Sequence, residues 1–250
     1  MGYFDLTGRR ALILGAGGIG GAIAKGVAEA GAEVVIADAN SGNLSKAKAE
    51  AESVGGTIHA IHTEIKNRDD VAELYKQVDE TLPEIDLSVN SIGLNEYSTA
   101  LETTEAQWNK VFTGFLDNVF WSNQQAGKRF VAQKRGKIVN IASISGIVVN
   151  SGFSYAAAKA GVIQLTRALA LEWISSGVFV NSISPGTVYT ALTKDFVDVP
   201  EVKKDIESGI PIGRIGQPDD IVGTAIYLLS RASDYVVGQN IIVDGGYTVR

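Results

Sequence analysis

"LILGAGGIGGA", Leu12 to Ala22, puts five glycines into eleven residues close to the N-terminus. Glycine weakens a helix or strand interior by roughly 0.5 to 1 kcal/mol relative to alanine. A cluster of glycines therefore marks backbone that must turn sharply or let something approach. The apolar ALIL (11–14) before it reads as a strand, and Ile23, Val27 and Ala30 after it recur at helical spacing. Between the two, Gly15-Ala16-Gly17-Gly18-Ile19-Gly20 spells G-x-G-x-x-G. A helix N-terminus at that point offers unpaired N–H groups and a positive dipole end, and the missing side chains leave room for a pyrophosphate. A tight strand-to-helix turn with no ligand is the alternative.

Strand and helix signals continue in alternation. EVVIAD (33–38), TIHAIH (57–62), DLSVN (86–90), GKIVNIAS (136–143), VFVNSIS (178–184) and NIIVD (240–244) bring the strand candidates to seven. Helical periods such as Leu44, Ala47, Ala51 and Val71, Leu74, Val78 separate the early ones. Strands alternating with helices predict an α/β fold, a doubly wound parallel sheet with helices on both faces. No linker or repeat divides residues 1–250, so one domain is expected. The segment 191–217, with Pro200 and Pro211, breaks the alternation and reads as a substrate lid over the sheet edge.

At the end of the second strand stands Asp38, 23 positions after Gly15. A carboxylate there accepts hydrogen bonds from both ribose hydroxyls of an adenosine and repels a 2′-phosphate. No Arg or Lys follows in Asp38–Asn43, so the sequence predicts NAD rather than NADP.

Composition narrows the partners. Twenty-two basic against 28 acidic residues give a net charge of −6 without a block of like charge. That balance disfavours nucleic acid and membrane surfaces and favours a small-molecule substrate. Cysteine is absent, and His59 and His62 sit together without a HExxH pattern, so no metal site is expected. No apolar run approaches about 18 residues and the N-terminus has no apolar signal core, which predicts a soluble cytoplasmic protein.

Tyr155-Ala156-Ala157-Ala158-Lys159 opens a helix and projects a phenol and an ammonium from one face. Ser143 ends the fifth strand, where the ligand crevice of a parallel sheet lies. A phenol with a pKa near 10 is a poor base at neutral pH. A cation about 4 Å away, at an effective dielectric of about 20, contributes on the order of 4 kcal/mol, roughly three pKa units. Tyr155 can then act as general base towards an alcohol or general acid towards a carbonyl, with Ser143 donating to the reacting oxygen.

With these residues in place, the chain resembles the short-chain dehydrogenase/reductase superfamily over its whole length. The resemblance implies a Rossmann-type fold and a tetrad of Asn118 in "DNVFW", Ser143 in "NIASISG", and Tyr155 and Lys159 in "YAAAK". In the family the Asn holds a water that joins the Lys to a proton relay. The resemblance also assigns cofactor contacts to Gly15, Gly17, Gly18, Ile19 and Gly20, and to Asn90 and Gly93 in "VNSIG". It adds Pro185, Gly186, Val188 and Thr190 in "SPGTVYT", besides Tyr155 and Lys159 themselves. Glu64-Ile65 stands where an Asp and an apolar residue normally meet adenine. The glycine turn is one residue shorter than the family's T-G-x-x-x-G-x-G, and Ser143 and Tyr155 are 12 apart where 13 is common.

Beyond Ser143, the run Ile144–Asn150 is apolar except for Ser145, Gly146 and Asn150. Single polar groups in an apolar wall suit a polyhydroxylated ligand, whose buried hydroxyls each need a partner. Ser143, Ser145, Asn150 and Tyr155 are therefore the expected substrate contacts. "SxSGxxVN", "NVFW", "LALEW" and "DGGYTV" resemble the polyol dehydrogenases of the superfamily. The reaction expected is NAD-dependent interconversion of a secondary alcohol, in a polyol or diol, with its ketone. A 3-oxoacyl carrier protein reductase is the rival enzyme; it calls for a basic residue in the glycine turn or after strand two, and neither stretch has one. A nucleotide-binding scaffold is the rival outside catalysis, and it predicts a broken tetrad. The helices 108–133 and 155–176 carry Phe112, Phe115, Phe120, Trp121, Val162, Leu165, Leu169 and Trp173, more apolar surface than one face needs. In the family these helices build the interfaces of a homotetramer.

Overall fold

The computed structural model describes residues 2–94, 98–149 and 151–250. In chain order its regular elements begin β1 (Arg10–Leu14), α1 (Gly18–Glu29), β2 (Glu33–Asp38), α2 (Ser41–Ser53), β3 (Ile58–His62), α3 (Arg68–Thr81) and β4 (Leu87–Asn90). They continue with α4 (Glu105–Phe112), α5 (Asn118–Gln133), β5 (Gly136–Ile141), α6 (Phe153–Trp173) and β6 (Val178–Pro185). The last are α7 (Lys194–Val197), α8 (Pro200–Ser208), α9 (Asp219–Leu229) and β7 (Asn240–Val243).

The strands form one parallel sheet in the order β3-β2-β1-β4-β5-β6-β7. Alternate residues of each strand feed opposite faces, as the period of two requires. Ala11, Ile13, Val34 and Ile36 join the core beneath α1, α2 and α9, with Ile23, Val27, Leu44, Ala47, Ile221 and Leu228. Leu12, Leu14, Val35 and Ala37 face the other way, onto Val71, Leu74, Tyr75, Phe130 and Leu169 of α3, α5 and α6. Strand order reverses between β1 and β4, which pair in register from Ala11 with Leu87 to Leu14 with Asn90. The carboxyl edge at such a switch point is where doubly wound sheets form their ligand crevice.

The expected helix over 108–133 starts earlier and is interrupted. Thr104 and Gln107 form a reciprocal capping box that begins α4 at Glu105. Thr113–Asp117 then makes a π-helical turn before α5. Much of the apolar surplus on these helices is used inside the chain. Phe115, Val162 and Leu169 are buried, and the Trp173 ring fills the space above Gly127, where a Cβ would meet it at 2.6 Å.

Segment 191–217 folds as α7 and α8 over a small core of Val197, Ile210 and Ile215. Its two roots are joined: Tyr189 N donates to Gly216 O at 2.8 Å and Gly216 N to Thr187 O at 2.9 Å. Arg214 holds Asp220 with two bonds of 2.6 and 2.8 Å. Together with the Gln217 N–H this keeps the Asp220 carboxyl down at about 2.

Candidate active site

The glycine turn is built as the sequence expects. Gly15 has φ +98°, and a Cβ there would lie 2.4 Å from the Ser91 carbonyl oxygen. Gly17 caps α1 without a side-chain hydrogen bond, so no capping side chain occupies the first N–H groups of the helix. A Cβ on Gly20 would sit 1.9 Å from Gly15 O, so the helix and the strand end touch backbone to backbone. The shortened spacing is thus accommodated by a tight turn, and Ile19 packs onto the core behind it.

Asp38 closes this turn from β2. Its Oδ2 accepts from Ala16 N at 2.6 Å and its Oδ1 from Asn40 N at 2.7 Å. The carboxylate is therefore fixed between the glycine turn and the start of α2, where Asn40 caps Gly42 and Asn43. A bare helix N-terminus, a glycine cradle and an acid one strand away fit a dinucleotide.

On the other side of the switch point, Asn90 is fully buried at the end of β4. Its Nδ2 donates to Asn140 Oδ1 at 2.8 Å, and its own Oδ1 has no partner among the described residues. Asn123 Nδ2 also reaches Asn140 Oδ1, at 3.1 Å, while Asn140 Nδ2 donates to Thr166 Oγ1 at 3.0 Å. The sequence motifs do not single out Asn123, Asn140 or Thr166, yet these residues tie β4, β5, α5 and α6 together just beneath the crevice. Isolated polar residues in apolar elements are the one signal of them.

Ser143 follows β5 and caps the 3₁₀ turn Ile144–Gly146: Ser145 N donates to Ser143 Oγ at 3.1 Å. The two hydroxyls lie 3.2 Å apart. Gly146 allows this turn to sit directly on α6, since a Cβ would be 2.7 Å from the Lys159 carbonyl carbon and the Ala160 nitrogen. The same helix presents Tyr155, half-buried, and Lys159, buried. Lys159 Nζ donates to Ile141 O at 2.8 Å. Burial, unopposed by any nearby carboxylate among the described residues, pushes the Lys159 ammonium down to about 7. Tyr155 and Lys159 thus lie together on α6, with Lys159 Nζ 5.8 Å from the Tyr155 ring centroid, and the Ile141 carbonyl that Lys159 holds is two residues before Ser143. Asn150 lies outside the described residues.

Asn118 does not join them. Its Nδ2 points to Ile65 O at 3.4 Å and its Oδ1 is buried without a partner among the described residues. Phe115 takes the place expected of it: the ring meets the Tyr155 ring edge-on at 4.8 Å, and Lys159 Nζ stands 4.9 Å from its centroid. The cause is the π turn. In an unbroken α-helix residues 115 and 118 share a face. The wider π turn at Thr113–Asp117 lies between α4 and α5 and breaks that register.

Other assigned positions are close by. Glu64 is exposed and pairs with Lys66 at 2.7 Å, whereas Ile65 packs on the core. Pro185 ends β6, and Gly186 comes next, abutting Asp244 so closely that a Cβ would lie 2.9 Å from its Cα. Burial works against the Asp244 charge, yet donors from Thr248 and Gly246 hold its carboxyl below the usual range. Val188 bridges to Gly216. Thr190 lies against Gly18, and Leu192 against Gly93, so the root of segment 191–217 spans both halves of the crevice. A cavity of about 170 Å³ behind this loop is lined by Val188, Ile210, Ile212, Arg214 and Asp244, and none of Ser143, Tyr155 or Lys159 borders it.

Known proteins match this chain along nearly all of its length. The family described as enoyl-(acyl carrier protein) reductase matches residues 15–248. Galactitol 2-dehydrogenase (L-tagatose-forming) of Cereibacter sphaeroides is 37% identical over 251 residues, covering 98% of this chain and 97% of its own. The 2-dehydro-3-deoxy-D-gluconate 5-dehydrogenase of Bacillus subtilis is 39% identical over 263 residues, covering both chains fully at 100%. Among solved structures, a gluconate 5-dehydrogenase from Burkholderia cenocepacia in complex with NADP and tartrate superposes with a TM-score of 0.93 at 32% identity, covering 99% of this chain and 98% of that one.

Proposed function

Since the chain belongs to the short-chain dehydrogenase/reductase superfamily of oxidoreductases, we propose that it interconverts a secondary alcohol of a polyol or sugar acid with the corresponding ketone, using NAD. The placing of Tyr155 with Lys159 on α6, and of Lys159 against the strand end that leads into Ser143, carries this reading. Gly15, Gly17, Gly18, Ile19 and Gly20 would hold the pyrophosphate at the N-terminus of α1, and Asp38 would hold the adenosine ribose. Ile65 would wall the adenine, while Asn90, Gly93, Pro185, Gly186, Val188 and Thr190 would surround the nicotinamide.

A bound oxidised nicotinamide would supply the hydride acceptor for the carbinol carbon. Tyr155 removes the hydroxyl proton, and in the reverse direction returns it to the carbonyl oxygen. Ser143 Oγ donates to that oxygen in both directions, oriented by the 3₁₀ turn it caps. Lys159, when protonated, places a positive charge near the phenol. Ser145 extends the polar wall towards the substrate, and segment 191–217 covers it. The chain works as a single domain and assembles as a homotetramer through α5 and α6.

NAD is preferred because Asp38 puts a negative charge where a 2′-phosphate would sit, and residues 39–43 bring no cation to offset it. The polyhydroxylated substrate rests on Ser143 and Ser145 and on the substrates named for the relatives above. The matched family's description supports a second reading, reduction of an acyl chain on a carrier protein.

Absorbance of the reduced nicotinamide, with NAD and NADP each tried against polyols, sugar acids and acyl thioesters, separates these. Turnover of polyols or sugar acids with NAD is expected. Activity confined to acyl thioesters with NADPH would replace this reading with the second. Tyr155→Phe should lower turnover at least about a hundredfold with NAD binding intact.

A further inference from the structure

Lys159 Nζ is one of the most deeply placed charges in the molecule, and its surroundings are unusual for an ammonium. Among the described residues its one hydrogen bond runs to Ile141 O on β5. The rest of its polar neighbourhood is aromatic: the Phe115 centroid at 4.9 Å and the Tyr155 centroid at 5.8 Å. No carboxylate and no second cation bears on it among the described residues. Phe115 itself is clamped, buried with Val111 and Ala158 and packed by Leu94 and Leu116. The π turn Thr113–Asp117 sets its direction.

We propose that Phe115 is a positioning residue of the active site, whose ring face supports the charged form of Lys159 while its contact with the Tyr155 ring fixes the phenol for proton transfer. The proposal rests on the reading of Tyr155 and Lys159 as the acid/base pair. A ring face attracts a cation within about 6 Å of its centroid, more strongly where water is excluded. The edge-on pairing, at 80° between ring planes, is the preferred geometry for two aromatic rings. An aromatic face holds the ammonium without offering a proton acceptor. The charge beneath Tyr155 is thereby kept, and the α4–α5 side of Lys159 is closed to proton exchange. The protein achieves with packing what an amide side chain at this position would do by hydrogen bonding.

Phe115→Leu removes the ring with little loss of apolar filling; Phe115→Tyr keeps the face. The Lys159 side chain is titrated by NMR through its Cε resonance, and kcat and KM are measured across pH with the best substrate and NAD. The expected result is a Lys159 midpoint about one unit lower in Phe115→Leu. Its kcat should fall about tenfold, with the acid limb of the kcat profile shifted to higher pH. KM for NAD should be unchanged, and Phe115→Tyr should restore both readouts. An unmoved Lys159 midpoint in a folded Phe115→Leu protein would overturn the proposal. So would full activity with an unshifted limb in Phe115→Leu. The titration needs no turnover, so a protein inactive on every alcohol tested would defeat the functional reading and leave the NMR result to decide the role of Phe115.

Discussion

The Thr190 side chain rests on Gly18, close enough that a Cβ on the glycine would lie 2.6 Å from Thr190 Cγ2. The loop after β6 and the turn after β1 are therefore fitted to each other, with Gly18 at φ +39°. Gly18→Ala adds both a steric overlap and backbone strain at the glycine turn. NAD binding, monitored by quenching of intrinsic fluorescence, should weaken at least about tenfold. Adding Thr190→Ser to that variant removes the Cγ2 overlap and should recover only part of the loss, since the strain remains.

Asp38 has its two oxygens committed to Ala16 N–H and Asn40 N–H. Asp38→Ala removes both bonds and the negative charge beside the glycine turn. The ratio of kcat/KM for NAD to that for NADP should fall at least about tenfold, a change of roughly 1.4 kcal/mol in relative transition-state binding. An unchanged ratio would place cofactor choice elsewhere.

Lys159 makes a prediction about stability as well as chemistry. Its ammonium is held near 7 in the folded chain against 10.5 as a free side chain. Between those values the unfolded chain binds the extra proton, so folding becomes more favourable as pH rises from about 7 to about 10. Below about 7 both states carry the charge and the full cost of burying it remains. Lys159→Met, of similar length and without charge, should raise the thermal midpoint at pH 7 by at least about 3 °C and flatten its pH dependence over this range. Activity should be lost. A lower midpoint for the variant would show that the Ile141 O contact outweighs the burial cost.

How much of this is legible in the residues depends on the range of the interaction. Strand periodicity and the glycine turn are local, and β1 through β7 fall within one or two residues of their expected places. Ser143, Tyr155 and Lys159 are readable because short fixed elements join them. Phe115 is not. Its exchange with Asn118 hinges on a π turn, which depends on how α4 and α5 pack on α6 and leaves no mark in the periodicity. Asn123, Asn140 and Thr166 are hidden for a related reason: each is an ordinary polar residue until β4 and β5 align Asn90 with Asn140. Glu64 falls where the adenine contact is expected, but its neighbour Lys66 draws the carboxylate away.

The joined roots of segment 191–217 have an evolutionary reading. Val188 and Gly216 are bridged, and the backbone bonds around them hold the chain's exit from the sheet and its return a strand's width apart, whatever lies between. Residues can be gained, lost or exchanged in the intervening stretch without disturbing the phosphate turn or Tyr155. Such a fold can explore new substrates by rewriting one clasped loop while its redox machinery is inherited unchanged.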